Sequence, residues 1–78
     1  MFLEIITPDK KLFSGEVKSI VLPGADGKFG LLNHHAPIIS SLKKGTLKVI
    51  DNADATQHFD IKGGVVEMLN NQVIVLAE

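Results

Sequence analysis

Three groupings in this 78-residue sequence are of types that do chemistry: a glycine series, a histidine pair, and a scatter of serines and aspartates. Gly24, Gly27 and Gly30 stand at a GxxGxxG spacing. Glycines so spaced cradle phosphate when they open a helix after a strand, because backbone N–H groups then face the anion. Here the following residues, Lys28 to Leu32, read as β-type, and no Lys-Ser or Lys-Thr pair closes the series. The expectation is a structural loop, not a phosphate site.

His34 and His35 are the types that hold metals, with His58 or Asp26 as the third ligand such a site would need. Adjacent side chains on an extended chain point to opposite sides, so neighbouring histidines seldom share one ion. The bland expectation is stronger: one histidine satisfies loop backbone groups and the other faces solvent or a partner. Ser14, Ser19, Ser40 and Ser41 offer hydroxyls, but none lies in a Gly-x-Ser-x-Gly elbow. Asp26, Asp51, Asp54 and Asp60 fall in turns or on exposed strand faces, with no pair marked as an acid/base couple. The residues therefore predict no catalytic centre, no cofactor and no metal.

The elements that must position these residues read almost entirely as strands. Leu22 to Pro37 holds three of the seven glycines, two of the three prolines and two of the three histidines, which points to a shaped loop between strands. Before it, Phe2 to Thr7 is a strand stopped by Pro8-Asp9, Lys11 to Phe13 a short strand ending at Ser14-Gly15, and Glu16 to Leu22 the next. After it come Lys28 to Leu32, Pro37 to Leu42 (extended in preference to helical), Thr46 to Ile50, Thr56 to Lys62, Val65 to Leu69 and Val73 to Leu76. Gly63-Gly64 reads as a bulge or a close backbone approach. Asn70-Asn71 reads as a tight hairpin turn, since Asn tolerates positive φ.

About eight to ten short strands, with turns every eight to twelve residues, predict an all-β sandwich or barrel spanning 1-78 as one domain. Two strands, Phe2 to Ile6 and Val73 to Leu76, are apolar on both faces. One face fills a core; the other must be covered by an edge element or by another protein.

Composition narrows the function further. The net charge is −1 and all eight cations are Lys, which argues against nucleic acid. The absence of Cys rules out a disulfide framework. The N-terminus lacks a basic segment and meets Glu4 and Asp9 at once, unlike a signal peptide. No apolar run approaches the roughly 20 residues that span a bilayer. The sequence reads as a soluble domain from a reducing compartment. With neither Trp nor Tyr, it has few aromatic platforms for the alternative of a free-standing ligand-binding sandwich.

Taken in order, several short motifs resemble one family. Ile6-Thr7-Pro8-Asp9, Phe13-Ser14-Gly15, Leu22-Pro23-Gly24, Asp26 to Asn33, His35-Ala36-Pro37, Gly63 to Glu67 and Val75-Leu76-Ala77-Glu78 together resemble the epsilon subunit of the F-type ATP synthase across the whole sequence. The resemblance implies a flattened β-sandwich in the central stalk, seated between the gamma subunit and the polar loops of the c-ring. Such a rotor subunit performs no chemistry, needs no cofactor, and couples ion translocation to ATP synthesis. It would lie peripherally at the cytoplasmic face of a bacterial inner membrane, touching the membrane only through the complex.

Carried over position by position, the resemblance implies that Thr7, His35 and Ile39 lie against gamma. It implies that Gly24, Ala25, Asp26, Gly27, Lys28, Phe29 and Gly30 meet the c-ring. Lys28 departs from the family, whose members often have an acid there, and His34 stands where many have Gly. Most members also carry a carboxy-terminal helical hairpin after the residues resembling Val75 to Glu78. This sequence stops there; for a chain complete at Glu78 the expectation is a short form that neither restrains hydrolysis through a hairpin nor binds nucleotide, and a truncated chain is the alternative.

Overall fold

Apolar and polar residues alternate along most of the chain, and the backbone resolves that alternation into eight strands and no helix. The computed structural model describes residues 1–78. The strands are β1 (Phe2–Ile6), β2 (Lys11–Gly24), β3 (Gly27–Leu32), β4 (Ile38–Leu42), β5 (Gly45–Asp51), β6 (Thr56–Ile61), β7 (Gly64–Leu69) and β8 (Gln72–Ala77).

Strand β2 organises the fold. Its 14 residues were expected as two short strands broken at Ser14-Gly15, and the structure corrects this. The ladder with β1 runs straight through the glycine, pairing Leu3 with Gly15 and Glu4 with Ser14. Gly15 has ordinary room: the nearest atoms to a Cβ there would be the Phe13 ring at 3.7 Å. Continuous backbone pairing thus overrides the local turn signal. Further along, Val17 pairs with Asp51 and Ser19 with Ile50, which leaves Lys18 as the extra residue of a bulge. The bulge switches the inward parity, so that Val17 is buried and then Ile20 and Leu22.

The strand order is β1-β8-β7-β4-β2-β5-β6, with β3 also on β2, and β1 pairs back to β2 to close a ring of strands. Strands β1 and β8 run parallel, while the other pairings are antiparallel. β1 and β3 meet end to end where the Met1 ammonium donates to the Asn33 Oδ1 and the Val17 carbonyl. The sheet folds on itself around sixteen buried apolar residues, among them Leu3, Ile5, Leu47, Val66 and Val75, with no buried polar side chain. Phe13 and Phe59 seal one margin edge-to-face, with ring centroids 5.9 Å apart.

Candidate interaction surface

Register decides which residues share the outer face of β1-β8-β7-β4. One row runs Phe2, Gln72, Leu69. The next runs Glu4, Ile74, Glu67, Ile39, and the third runs Ile6, Leu76, Val65, Ser41. Ile39 is 72% exposed, Leu76 56% and Leu69 53%. A shallow groove of about 370 Å³ lies beside Ile39, lined by Pro37, Ile38, Glu67, Met68 and Leu69.

The face formed by β5 and β6 is different. It presents Thr46 against Asp60 and Lys48 against His58, with the Thr46 hydroxyl donating to the Asp60 Oδ1 at 2.8 Å. One broad face of the domain is therefore apolar, and the other is polar. Six of the seven exposed large apolar side chains lie on the apolar face, the exception being Leu32 on β3, and such clustering is the mark of an interaction surface.

The glycine series builds the structural connection between strands expected from sequence, in the form of a tight hairpin. Leu22 to Gly24 complete β2, Gly27 to Leu32 form β3, and only Ala25 and Asp26 lie in the turn. Gly27 supplies the positive φ, at +132°. Gly24 is a matter of space: a Cβ there would stand 2.6 Å from the Gly27 carbonyl oxygen and 2.8 Å from the Phe29 ring. The turn is tied to the neighbouring strand end by Ala25 N–H donating to the Ser41 carbonyl at 2.9 Å and Lys43 N–H to the Pro23 carbonyl at 2.9 Å. Ala25, Asp26 and Lys28 are exposed, and Phe29 is half-buried.

Of the three residues grouped as one contact from sequence, only Ile39 lies on the apolar face; the other two lie in connections at its opposite ends. Ile39 sits in its middle row. Thr7 lies beyond the C-terminal end of β1, its hydroxyl donating to the Lys10 carbonyl at 3.0 Å. That end also holds the β2-β3 turn, because Gly24, Leu42, Gly64 and Ala77 form one register row. His35 lies at the opposite end, in the β3-β4 connection, with its Nδ1 2.7 Å from the Ala36 carbonyl.

His34 takes φ +63°, the left-handed conformation that glycine adopts freely. Its N–H donates to the Asn71 Oδ1 at 2.7 Å, which fastens the β3-β4 connection to the β7-β8 turn. This is a turn geometry, not the extended geometry assumed for the pair. His58 stands on β6, and no three of His, Cys, Asp and Glu come together in a geometry that could hold a metal. Ser14 and Ser19 lie along β2, and Ser40 and Ser41 along β4.

Comparison with known proteins places this β-architecture. The family model for the ATP synthase delta/epsilon chain, beta-sandwich domain, matches residues 1–78. The chain belongs to this family. It is 41% identical over 76 residues to the ATP synthase epsilon chain of Chlorobium limicola, covering 97% of this chain and 86% of that one. It is 40% identical over 78 residues to the epsilon chain of Caulobacter vibrioides, covering 100% and 90%. Against the epsilon chain of Desulforamulus reducens the identity is 42% over 76 residues, covering 97% of this chain but 57% of that one. The chain thus spans most of some relatives and little more than half of others.

Among solved structures, a chain of the Euglena gracilis mitochondrial ATP synthase, described as OSCP/F1/c-ring in rotational state 1, superposes with a TM-score of 0.90 at 22% identity, over 96% of this chain and 48% of that one. A chain of the Tetrahymena thermophila mitochondrial ATP synthase central stalk/c-ring gives 0.82 at 18% identity, over 99% and 62%. At such identities the likeness is one of fold, and it agrees with the family's β-sandwich. As a family member, the chain is a non-catalytic subunit of a larger complex.

The two-sided apolar character of β1 and β8 is visible in the sequence, whereas nothing there marks Val65, Leu69 and Glu67 as members of the same face. The period-two pattern of β7 puts the three on one side of their own strand, but only the pairing of β7 between β4 and β8 makes the face continuous.

Proposed function

We propose that this domain is a rotor element of the F-type ATP synthase. It links the gamma subunit to the polar loops of the c-ring and helps couple ion translocation to ATP synthesis. The observation that carries the reading is the division of the surface. The apolar outer face of β1-β8-β7-β4 suits burial against a second subunit, and a braced hairpin projects at one end of it. Membership of the epsilon-chain family supports the same assignment.

In this reading Thr7, Ile39 and His35 contact gamma along the length of that face. Gly24 to Gly30 reach the c-ring with the Ala25-Asp26 turn leading. The exposed Lys28 brings a positive charge where many relatives carry an acid, so its partner group in the c-ring loop is an acid or a carbonyl. A close-packed β-domain suits such a spacer, since tightly packed interiors transmit strain with little give. The location that follows is peripheral, at the cytoplasmic face of a bacterial inner membrane, with membrane contact made through the complex.

Two measurements test this. The chain should co-purify with the gamma subunit and stay bound in moderate salt, because an apolar contact is weakly screened. Complexes rebuilt without it should lose ion-driven ATP synthesis. Full synthesis in its absence would overturn the proposal.

A further inference from the structure

Glu67 stands at the centre of the apolar face, and this placement sets a demand on whatever covers it. Its cross-strand neighbours are Ile39 on β4 and Ile74 on β8, and its same-face neighbours along β7 are Val65 and Leu69. A subunit that buries these four side chains must cover the carboxylate between them. The other acid in the same row, Glu4, has its own cation: Lys11 Nζ lies 2.8 Å from its Oε2. Glu67 forms no ion pair within the chain; the two that exist are Glu4 with Lys11 and Lys18 with Asp54. A carboxylate taken out of water without a partner is costly, and a charge-assisted hydrogen bond removes that cost.

We infer that the subunit docking on this face carries a single Lys or Arg opposite Glu67, set within an otherwise apolar patch. The inference rests on the reading above, in which that subunit is gamma, and it adds the chemistry of the contact. The ion pair supplies register: an apolar sheet face alone permits sliding along the strands, whereas one enclosed charge pair selects a single seating. For a rotor element, that seating decides whether the β2-β3 hairpin reaches its target.

The test is the dissociation constant of the chain with purified gamma subunit, measured at low and at moderate salt for the native chain, E67Q and E67K. Thermal unfolding of each free variant serves as the folding control, and an outward-facing substitution on β7 should leave it unchanged. The expected result is about 30-fold weaker binding for E67Q with a flatter salt dependence, and greater loss for E67K with a salt dependence of opposite sign, because salt screens the new like-charge repulsion. Binding of E67Q equal to the native chain, with the same salt dependence, would overturn the inference while leaving the gamma contact in place. A native chain that fails to bind gamma would instead remove the underlying reading, and the inference with it.

Discussion

Gly64 lies so close to β8 that a Cβ at this position would stand 2.2 Å from the Leu76 carbonyl oxygen. Its φ is +147°, as unavailable to other residues as the space is. The contact joins the start of β7 to the end of β8, beside the Glu78 N–H to Gly63 carbonyl bond of 3.0 Å. Gly64→Ala should therefore destabilise the domain by about 3 kcal/mol or more, since clash and backbone strain act together. Gly30→Ala is the control. Its nearest contact would be 3.7 Å, and a shift within about 0.5 kcal/mol is expected in urea unfolding.

His34 offers the opposite sign. Left-handed backbone costs a non-glycine residue about 1–2 kcal/mol, and glycine returns part of this through unfolded-state entropy. His34→Gly should stabilise by about 0.5 kcal/mol, whereas His34→Val should destabilise by about 1 kcal/mol. Chemical denaturation of the two variants side by side reads the difference.

Asn71 has two duties, which substitution can separate. It takes φ +61° in the β7-β8 turn, and its Oδ1 accepts the His34 N–H. Asn71→Gly keeps the turn and loses the hydrogen bond, at an expected cost of about 1 kcal/mol. Asn71→Ala loses both, and about 2 kcal/mol is expected. Equal stability of the two variants would show that the side-chain bond, not the backbone angle, dominates.

Asp51 organises the β5-β6 connection. Its Oδ1 accepts the N–H of Ala53 at 2.9 Å and of Ala55 at 3.0 Å. Asp51→Ala should cost about 1–2 kcal/mol, while Asp51→Asn, which keeps an accepting oxygen, should cost less than about 1 kcal/mol. Thermal melts of both variants test the ranking.

Ile39 separates stability from assembly. At 72% exposure it contributes little to the core, so Ile39→Ser should shift unfolding by less than about 0.5 kcal/mol. The same variant should bind gamma about tenfold more weakly, as expected for an apolar side chain central to an interface. A titration against purified gamma, paired with a melt of the free variant, distinguishes the two effects.

The strands were legible because each carries its own period-two pattern, and Asn70-Asn71 because paired positive φ, at 52° and 61°, suits Asn. β2 was legible only in part. Gly15 gives the same local signal whether it ends a strand or lies within one, and the pairing partner β1 decides. The Lys18 bulge was likewise hidden, since it exists as a mismatch with β5. Of the surface residues, Ile39 and the hairpin were marked by resemblance, while Glu67 carried no mark at all. A lone Glu in an alternating strand is ordinary until its neighbours across the sheet are known.

What the amino-acid order determined unaided is local: apolar alternation, turn residues, absent disulfides and a family's ordered motifs, each set within a few residues along the chain. Tertiary structure decided the closure of the strands through β2, the placing of Thr7 and His35 at opposite ends of the sheet that carries Ile39, and the flanking of Glu67 by apolar neighbours. These depend on register between segments up to some 70 residues apart, such as Phe2 beside Gln72. Register is a property of paired backbones, and a slip of one residue would turn every side chain of a strand to the other face.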